Sequence, residues 1–175
     1  MIFTPTRLKG ACIIDIEKKE DERGFFARVW DKKEFEKHEL DSTLSQFSIS
    51  FNKKRGTLRG LHYQESPHEE AKLVRCTKGK IFDVIVDLRK ESKTFKEWIW
   101  TELSEENYRM LYIPKGFAHG FQTLTDNAEV FYQISEEYVP ENAHGLRWND
   151  KIFNINWPLP PTVISGKDSS YPNFE

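Results

Sequence analysis

The sequence predicts an all-β protein, a sandwich or barrel of the jelly-roll kind with one or two short helices. Apolar and polar residues alternate in many short segments, turn residues separate those segments at close spacing, and helical periodicity is scarce. The clearest case is "KIFDVIVDLR", where Phe82, Val84, Val86 and Leu88 share one face and Asp83 and Asp87 the other.

The elements follow in order. "ACIIDI" and "GFFARVW" read as strands, and "DKKEFEKHEL" reads as a short helix because Asp31 can cap it and Glu34 stands three residues on. "QFSISFN" and "GTLRGLHYQ" return to strand. "KLVRCTKGKIFDV" reads as a hairpin turning near Lys78 and Gly79. "KEWIWTEL", "MLYIP", "HGFQTL" and "EVFYQIS" are further strands, and "LSEENYRM" suits a turn of helix. The proline-rich stretch "WPLPPTVISGKDSSYPNF" is expected to run extended over the barrel. Without a linker or a repeat, residues 1–175 are expected to form a single domain.

Composition narrows the function. Thirteen Phe, six Tyr and five Trp promise an aromatic-rich interior, and a chain of this length buries ~70% of its unfolded surface. The net charge of −2 comes from interleaved acids and bases, without the basic stripe that nucleic acid requires. Every apolar run falls short of the ~20 residues that span a bilayer, so a soluble, cytoplasmic protein is expected. Cys12 and Cys76 sit in strand-like settings and read as reduced, buried small hydrophobes.

"GTLRGLHYQ" is too polar for a core strand: Arg59, His62 and Gln64 stand among Leu58, Leu61 and Tyr63. A pocket wall inside the sheet is one explanation. Strict alternation sends Arg59 to the face opposite His62, but Gly60 offers a bulge that would re-aim it. Two chemistries suit such a pocket. "PKGFAHGF" is similar to the second motif of cupin barrels, which often hold a metal on histidines, and would set His119 on a lining strand. A metal site drawn from His62, His68, His119 and Glu69 or Glu70 would however lack a second histidine two residues from His62. The other chemistry is acid–base work by His62, Lys72, His119 and Tyr132.

At "GTLRGLHYQ", "EAKLVRCTKGKIFDVIVDLR", "LYIPKGFAHGFQTL", "EVFYQISEEYVPE", "GLRWND" and "ISGKD" the chain resembles the dTDP-4-dehydrorhamnose 3,5-epimerase family. The resemblance runs in order from about Asp21 through Asp168. It implies a cupin-type jelly-roll barrel without metal or cofactor, a homodimer, and inversion of the carbons flanking the 4-ketone of a nucleotide-linked 4-keto-6-deoxyhexose for surface polysaccharide. His62 matches the family's base, Asp168 the carboxylate that orients it, Lys72 the cation near the ketone oxygen, and Tyr132 the acid that returns a proton. His119 matches a further pocket residue. Arg59 and Lys167 match or neighbour positions facing the diphosphate, and Tyr138 an aromatic near the base. Arg23 and Phe26 in "DERGFF" match residues that reach into the partner subunit's site.

Two features depart from the family pattern. Arg28 stands where members with thymidine substrates carry Glu, and the Gln-x-Asn pair is altered to Gln46 followed by "FSISFN". A guanidinium suits the acceptor edges of cytosine or guanine, so CDP- or GDP-linked sugars stand as alternatives to dTDP. An enzyme inverting C3 or C5 alone, and a sugar-nucleotide-binding barrel without catalysis, also stand as alternatives.

Overall fold

The structure is a computed structural model that describes residues 1–174. Among the described residues one sheet contains β1 (Ile2–Pro5), β2 (Cys12–Asp15), β5 (Gln46–Asn52), β7 (Lys72–Lys78), β10 (Met110–Ile113) and β12 (Ala128–Ile134). Its spatial order is β1-β2-β10-β7-β12-β5. The second contains β6 (Thr57–Gln64), β8 (Lys80–Asp87), β9 (Trp98–Ser104), β11 (Phe117–Thr123) and β13 (Ala143–Gly145), in the order β13-β6-β11-β8-β9. β14 (Val163–Ile164) adds in parallel to β6, and β3 (Lys19–Asp21) with β4 (Gly24–Phe26) forms a separate hairpin. The all-β expectation holds.

Alternation places the interior. Val74, Cys76, Ile81, Ile85, Phe121 and Val130 project between the sheets and are almost fully buried, each large side chain contributing roughly 1.5–3 kcal/mol. Beside this apolar core, Arg59, His62, Lys72, His119 and Tyr132 line a polar space.

The stretch expected to be one hairpin does turn at Gly79, where φ is +71°, but its arms enter different sheets. β7 pairs with β10 and β12, and β8 with β9 and β11. Both arms are apolar on the face that meets the shared core, so a crossing between sheets buries more than a flat hairpin could.

The helix at Lys32–Lys37, α1, begins where the capping pattern put it: the Asp31 carboxylate accepts the Glu34 N–H at 3.2 Å. Its Phe35 is buried against Cys12, Ile14, Met110 and Tyr112 on the outside of the first sheet. "GFFARVW" is strand only over β4, and "LSEENYRM" forms a turn in which Ser104 and Asn107 bond each other.

The C-terminal stretch departs from the extended course expected of it. It contains β14 and then a helix, α2 (Gly166–Ser170), capped by Ser165 Oγ, which accepts the Asp168 N–H at 3.0 Å. Around these the chain is extended, and Phe153, Trp157 and Phe174 cover the outer face of the second sheet.

Candidate active site

The polar space is a cavity of about 540 Å³. Strand β6 supplies its most reactive wall through a break in register. Arg59 pairs with Phe121 and His62 with His119, so two residues of β6 oppose the single Gly120 of β11. That is a β-bulge, and it flips the parity of the strand: Thr57 and Arg59 face the cavity before it, His62 and Gln64 after it. Gly60, at φ +114°, has no alternative, since a Cβ there would lie 2.6 Å from Gly120 Cα. Arg59 is then fixed by donating Nε–H to Asn52 Oδ1 at 2.7 Å.

Two histidine–aspartate pairs stand at the cavity: His62, Asp168 and His119 line it, and Asp83 is buried behind His119. His62 Nε2 lies 2.7 Å from Asp168 Oδ1, while Asp168 Oδ2 accepts the Gly60 N–H at 3.2 Å. Burial raises the Asp168 pKa, but the bond and charge of His62, with the Gly60 N–H and the Ser165 side chain, outweigh burial and hold it below the ordinary carboxylate range. The imidazole is half exposed to the cavity, leaving Nδ1 as the ring nitrogen not engaged by Asp168. Behind it, His119 Nε2 meets Asp83 Oδ1 at 2.8 Å. Asp83 is wholly buried and its Oδ2 has no partner, so burial pushes its pKa up against the pull of His119 and Lys72.

The opposed sheet supplies a cation and a phenol. Lys72 is buried and pairs with Glu70 at 2.7 Å. Tyr132 packs edge-on to His119, with ring centroids 5.8 Å apart. Burial, with the Asp83 charge added, holds the Tyr132 phenol well above its ordinary pKa against a smaller opposing effect of Arg59, so it stays protonated. The cavity thus offers an oriented imidazole, a fixed ammonium and a neutral phenol.

This constellation can be compared with known proteins. The sequence profile described as dTDP-4-dehydrorhamnose 3,5-epimerase matches residues 5–175. The chain belongs to that family. The Sinorhizobium fredii dTDP-4-dehydrorhamnose 3,5-epimerase is 42% identical over 175 residues, covering 99% of this chain and 90% of that protein. The crystal structure of the Elizabethkingia anophelis enzyme of the same name is 40% identical, with a TM-score of 0.96 over 99% of this chain and 96% of that one. The Bacillus anthracis enzyme, whose structure holds TDP and pyrophosphate, is 39% identical with a TM-score of 0.95 over 99% of both chains. The fold of this epimerase-family chain is accordingly the cupin-type jelly roll.

Of the residues singled out from sequence, the cavity gathers Arg59, His62, Lys72, His119, Tyr132, Tyr138, Lys167 and Asp168. Four others of this epimerase-family chain lie elsewhere. Arg23 is exposed and bonds Asp21, Phe26 projects from the β3–β4 hairpin, and Gln46 ends β5 outside the cavity. Arg28 pairs with Asp31 at 3.1 Å and lines a separate cavity with Phe26.

The histidines considered for metal are spoken for by carboxylates, with His68 3.9 Å from Glu136. Among the described residues there is no group of three or more His, Cys, Asp or Glu placed to hold a metal ion. The parts played by three residues escaped the sequence reading. Glu70, considered only as a metal ligand, is the mostly buried partner of Lys72, Asp83 is a buried acid on an alternating strand, and Tyr171 enters from the C-terminal segment. The Ser165-x-x-Asp168 capping pattern was the available signal for the last.

Proposed function

We propose that this protein inverts C3 and C5 of a dTDP-linked 4-keto-6-deoxyhexose, with His62 as base and Tyr132 as acid. His62 takes the proton from a carbon beside the ketone, and the C–H electron pair moves to the ketone oxygen as an enolate forms. Lys72 meets the charge on that oxygen, and Asp168 stabilises the imidazolium. Tyr132 delivers a proton to the other face of the carbon, which is then inverted, and no atom or electron is gained overall. No cofactor is drawn upon. Arg59 and Lys167 take the diphosphate and Tyr138 the nucleobase. His119, held by Asp83, completes the cavity floor.

The observation that carries this reading is the placing of base and acid on the two opposed sheets, His62 on β6 and Tyr132 on β12, in one cavity. A binding barrel would have no use for an imidazole already engaged by a buried carboxylate.

The unit is a homodimer of single-domain subunits working in the cytoplasm. Supporting it, Phe47, Ile49 and Phe51 are 59%, 63% and 45% exposed on the outer face of the edge strand β5, where Phe47 stacks on Phe131. A contiguous apolar sheet face of this kind marks a protein interface. Arg23 and Phe26, standing away from their own cavity, then serve the partner's, with Arg28 and Gln46 beside the nucleotide.

The test is NMR in deuterated water with dTDP-, CDP- and GDP-linked 4-keto-6-deoxyhexoses, following C3 and C5 separately. Deuterium at both carbons, fastest with dTDP, is expected. Entry at one carbon makes the protein a single-site epimerase, a faster CDP or GDP substrate reassigns the nucleotide to Arg28's preference, and no exchange removes the proposal.

A further inference from the structure

We infer that Tyr171 is a positioning residue that keeps the His62 imidazole seated on Asp168, and that Gly145 is side-chain-free in order to admit its ring. The inference rests on His62 being the base.

Tyr171 ends α2, three residues beyond Asp168, so the same short helix that carries the carboxylate delivers the ring. Its ring meets the imidazole edge to face, with centroids 6.2 Å apart and planes at 69°. It also lines two cavities. On one side is the active-site cavity; on the other is a space of about 230 Å³ closed by Gly145, Leu146, Pro172 and Phe174. Tyr63 and His144 flank it along the same wall. Taking the ring away joins the two spaces and removes the lateral stop on a half-exposed imidazole, whose remaining restraint is its one bond to Asp168.

Gly145 gives independent support. It pairs with His62 across the β13–β6 ladder, and a Cβ built on it would lie 2.2 Å from Tyr171 Cε2 and 2.3 Å from Cζ. A side chain there and the ring in its present place exclude each other. The Tyr171 hydroxyl is buried without a hydrogen-bond partner, so the part of the residue that acts is the ring.

The experiment is steady-state epimerisation by Tyr171→Ala, Tyr171→Phe, Gly145→Ala, the Tyr171→Ala/Gly145→Ala double variant and His62→Ala, each melted to verify folding. A misaimed base lowers kcat for Tyr171→Ala about tenfold to a hundredfold, with KM within about threefold. Tyr171→Phe should restore turnover to within about twofold, because the edge contact survives. Gly145→Ala, which keeps the ring but displaces it, should reproduce the kcat loss, and adding it to Tyr171→Ala should cost little more. Native kcat in both Tyr171→Ala and Gly145→Ala, a change confined to KM, or a Phe variant as impaired as Ala would overturn the inference. If Tyr171→Ala does not fold, Gly145→Ala and the Phe variant decide alone. Undiminished turnover by His62→Ala would instead remove the base assignment beneath it.

Discussion

Asp168 holds both the imidazole of His62, at 2.7 Å, and the N–H of Gly60, so one carboxylate fixes the imidazole and the bulge that aims it. Replacing it by Asn leaves a neutral group that cannot balance an imidazolium. The expected outcome for Asp168→Asn is a kcat lower by roughly 10²–10⁴-fold with KM little changed, by analogy with other histidine–carboxylate pairs. Steady-state kinetics checks it, and a near-native kcat would mean that His62 acts without its carboxylate.

With the proposed base His62 and the proposed acid Tyr132 on opposed sheets, abstraction and reprotonation should be separable. Tyr132→Phe keeps the base and removes the acid. It should still exchange the substrate's proton for deuterium while net inversion falls on the order of 10²–10³-fold, the usual contribution of a placed proton donor. NMR in deuterated water reads both at once. Exchange and inversion falling together would point to an acid needed for enolate formation.

Lys72 and Glu70 are both mostly buried, which links activity to stability. In the proposed mechanism Lys72→Met removes the charge that meets the enolate, and kcat should fall about 10²-fold or more. It also strands the Glu70 carboxylate, at a cost of about 3 kcal/mol in urea unfolding. Glu70→Gln in the same chain should recover much of that stability and none of the activity. Recovery of both would make the pair structural alone.

The legible parts of this protein were those that obey a period. Alternation found β8, β11 and β12, and Asp31 found α1. Periodicity cannot say which sheet a strand joins, so the Gly79 turn read as a hairpin when it is a crossing between sheets. In the site, His62 and Arg59 were visible because polar residues are costly on a core strand, and Gly60 announced the bulge. Asp83 was hidden because an acid on an alternating strand looks like its solvent face until the opposing layer is known, and Glu70 was weighed only as a metal ligand because its pairing with Lys72 depends on the fold. The roles of Asp168 and Lys167 came from family resemblance, since contact across 106 residues leaves no local trace.

The apolar face of β5 gives a test of assembly. Ile49→Asp puts a charge at the middle of the row formed by Phe47, Ile49 and Phe51. In the proposed homodimer, Ile49→Asp should shift sedimentation to the monomer at concentrations where the unmodified chain sediments as a dimer, since an unpaired charge in an apolar interface costs several kcal/mol. Activity should fall with dissociation if the Arg23 and Phe26 hairpin serves the neighbour's cavity as proposed. A native dimer in Ile49→Asp would place the interface on another face.

Acid sensitivity should trace largely to Asp87, which lies outside the cavity. Its buried carboxylate accepts Arg89 Nε–H at 2.8 Å and Nη2–H at 2.7 Å, and the Ser92 and Thr94 hydroxyls at 2.6 and 2.7 Å. Burial raises its pKa, but these bonds outweigh burial and lower it from 3.8 to about 2. Because the folded pKa lies below the unfolded one, the contribution is complete above the unfolded value and is lost as pH falls from about 4 towards 2. The shift corresponds to about 2 kcal/mol. Urea midpoints between pH 6 and 2 should therefore drop steeply in the native chain. Asp87→Asn should be less stable at neutral pH and show a shallower decline below pH 4, whereas an equally steep decline in the variant would assign the acid transition to Asp168 and other carboxylates.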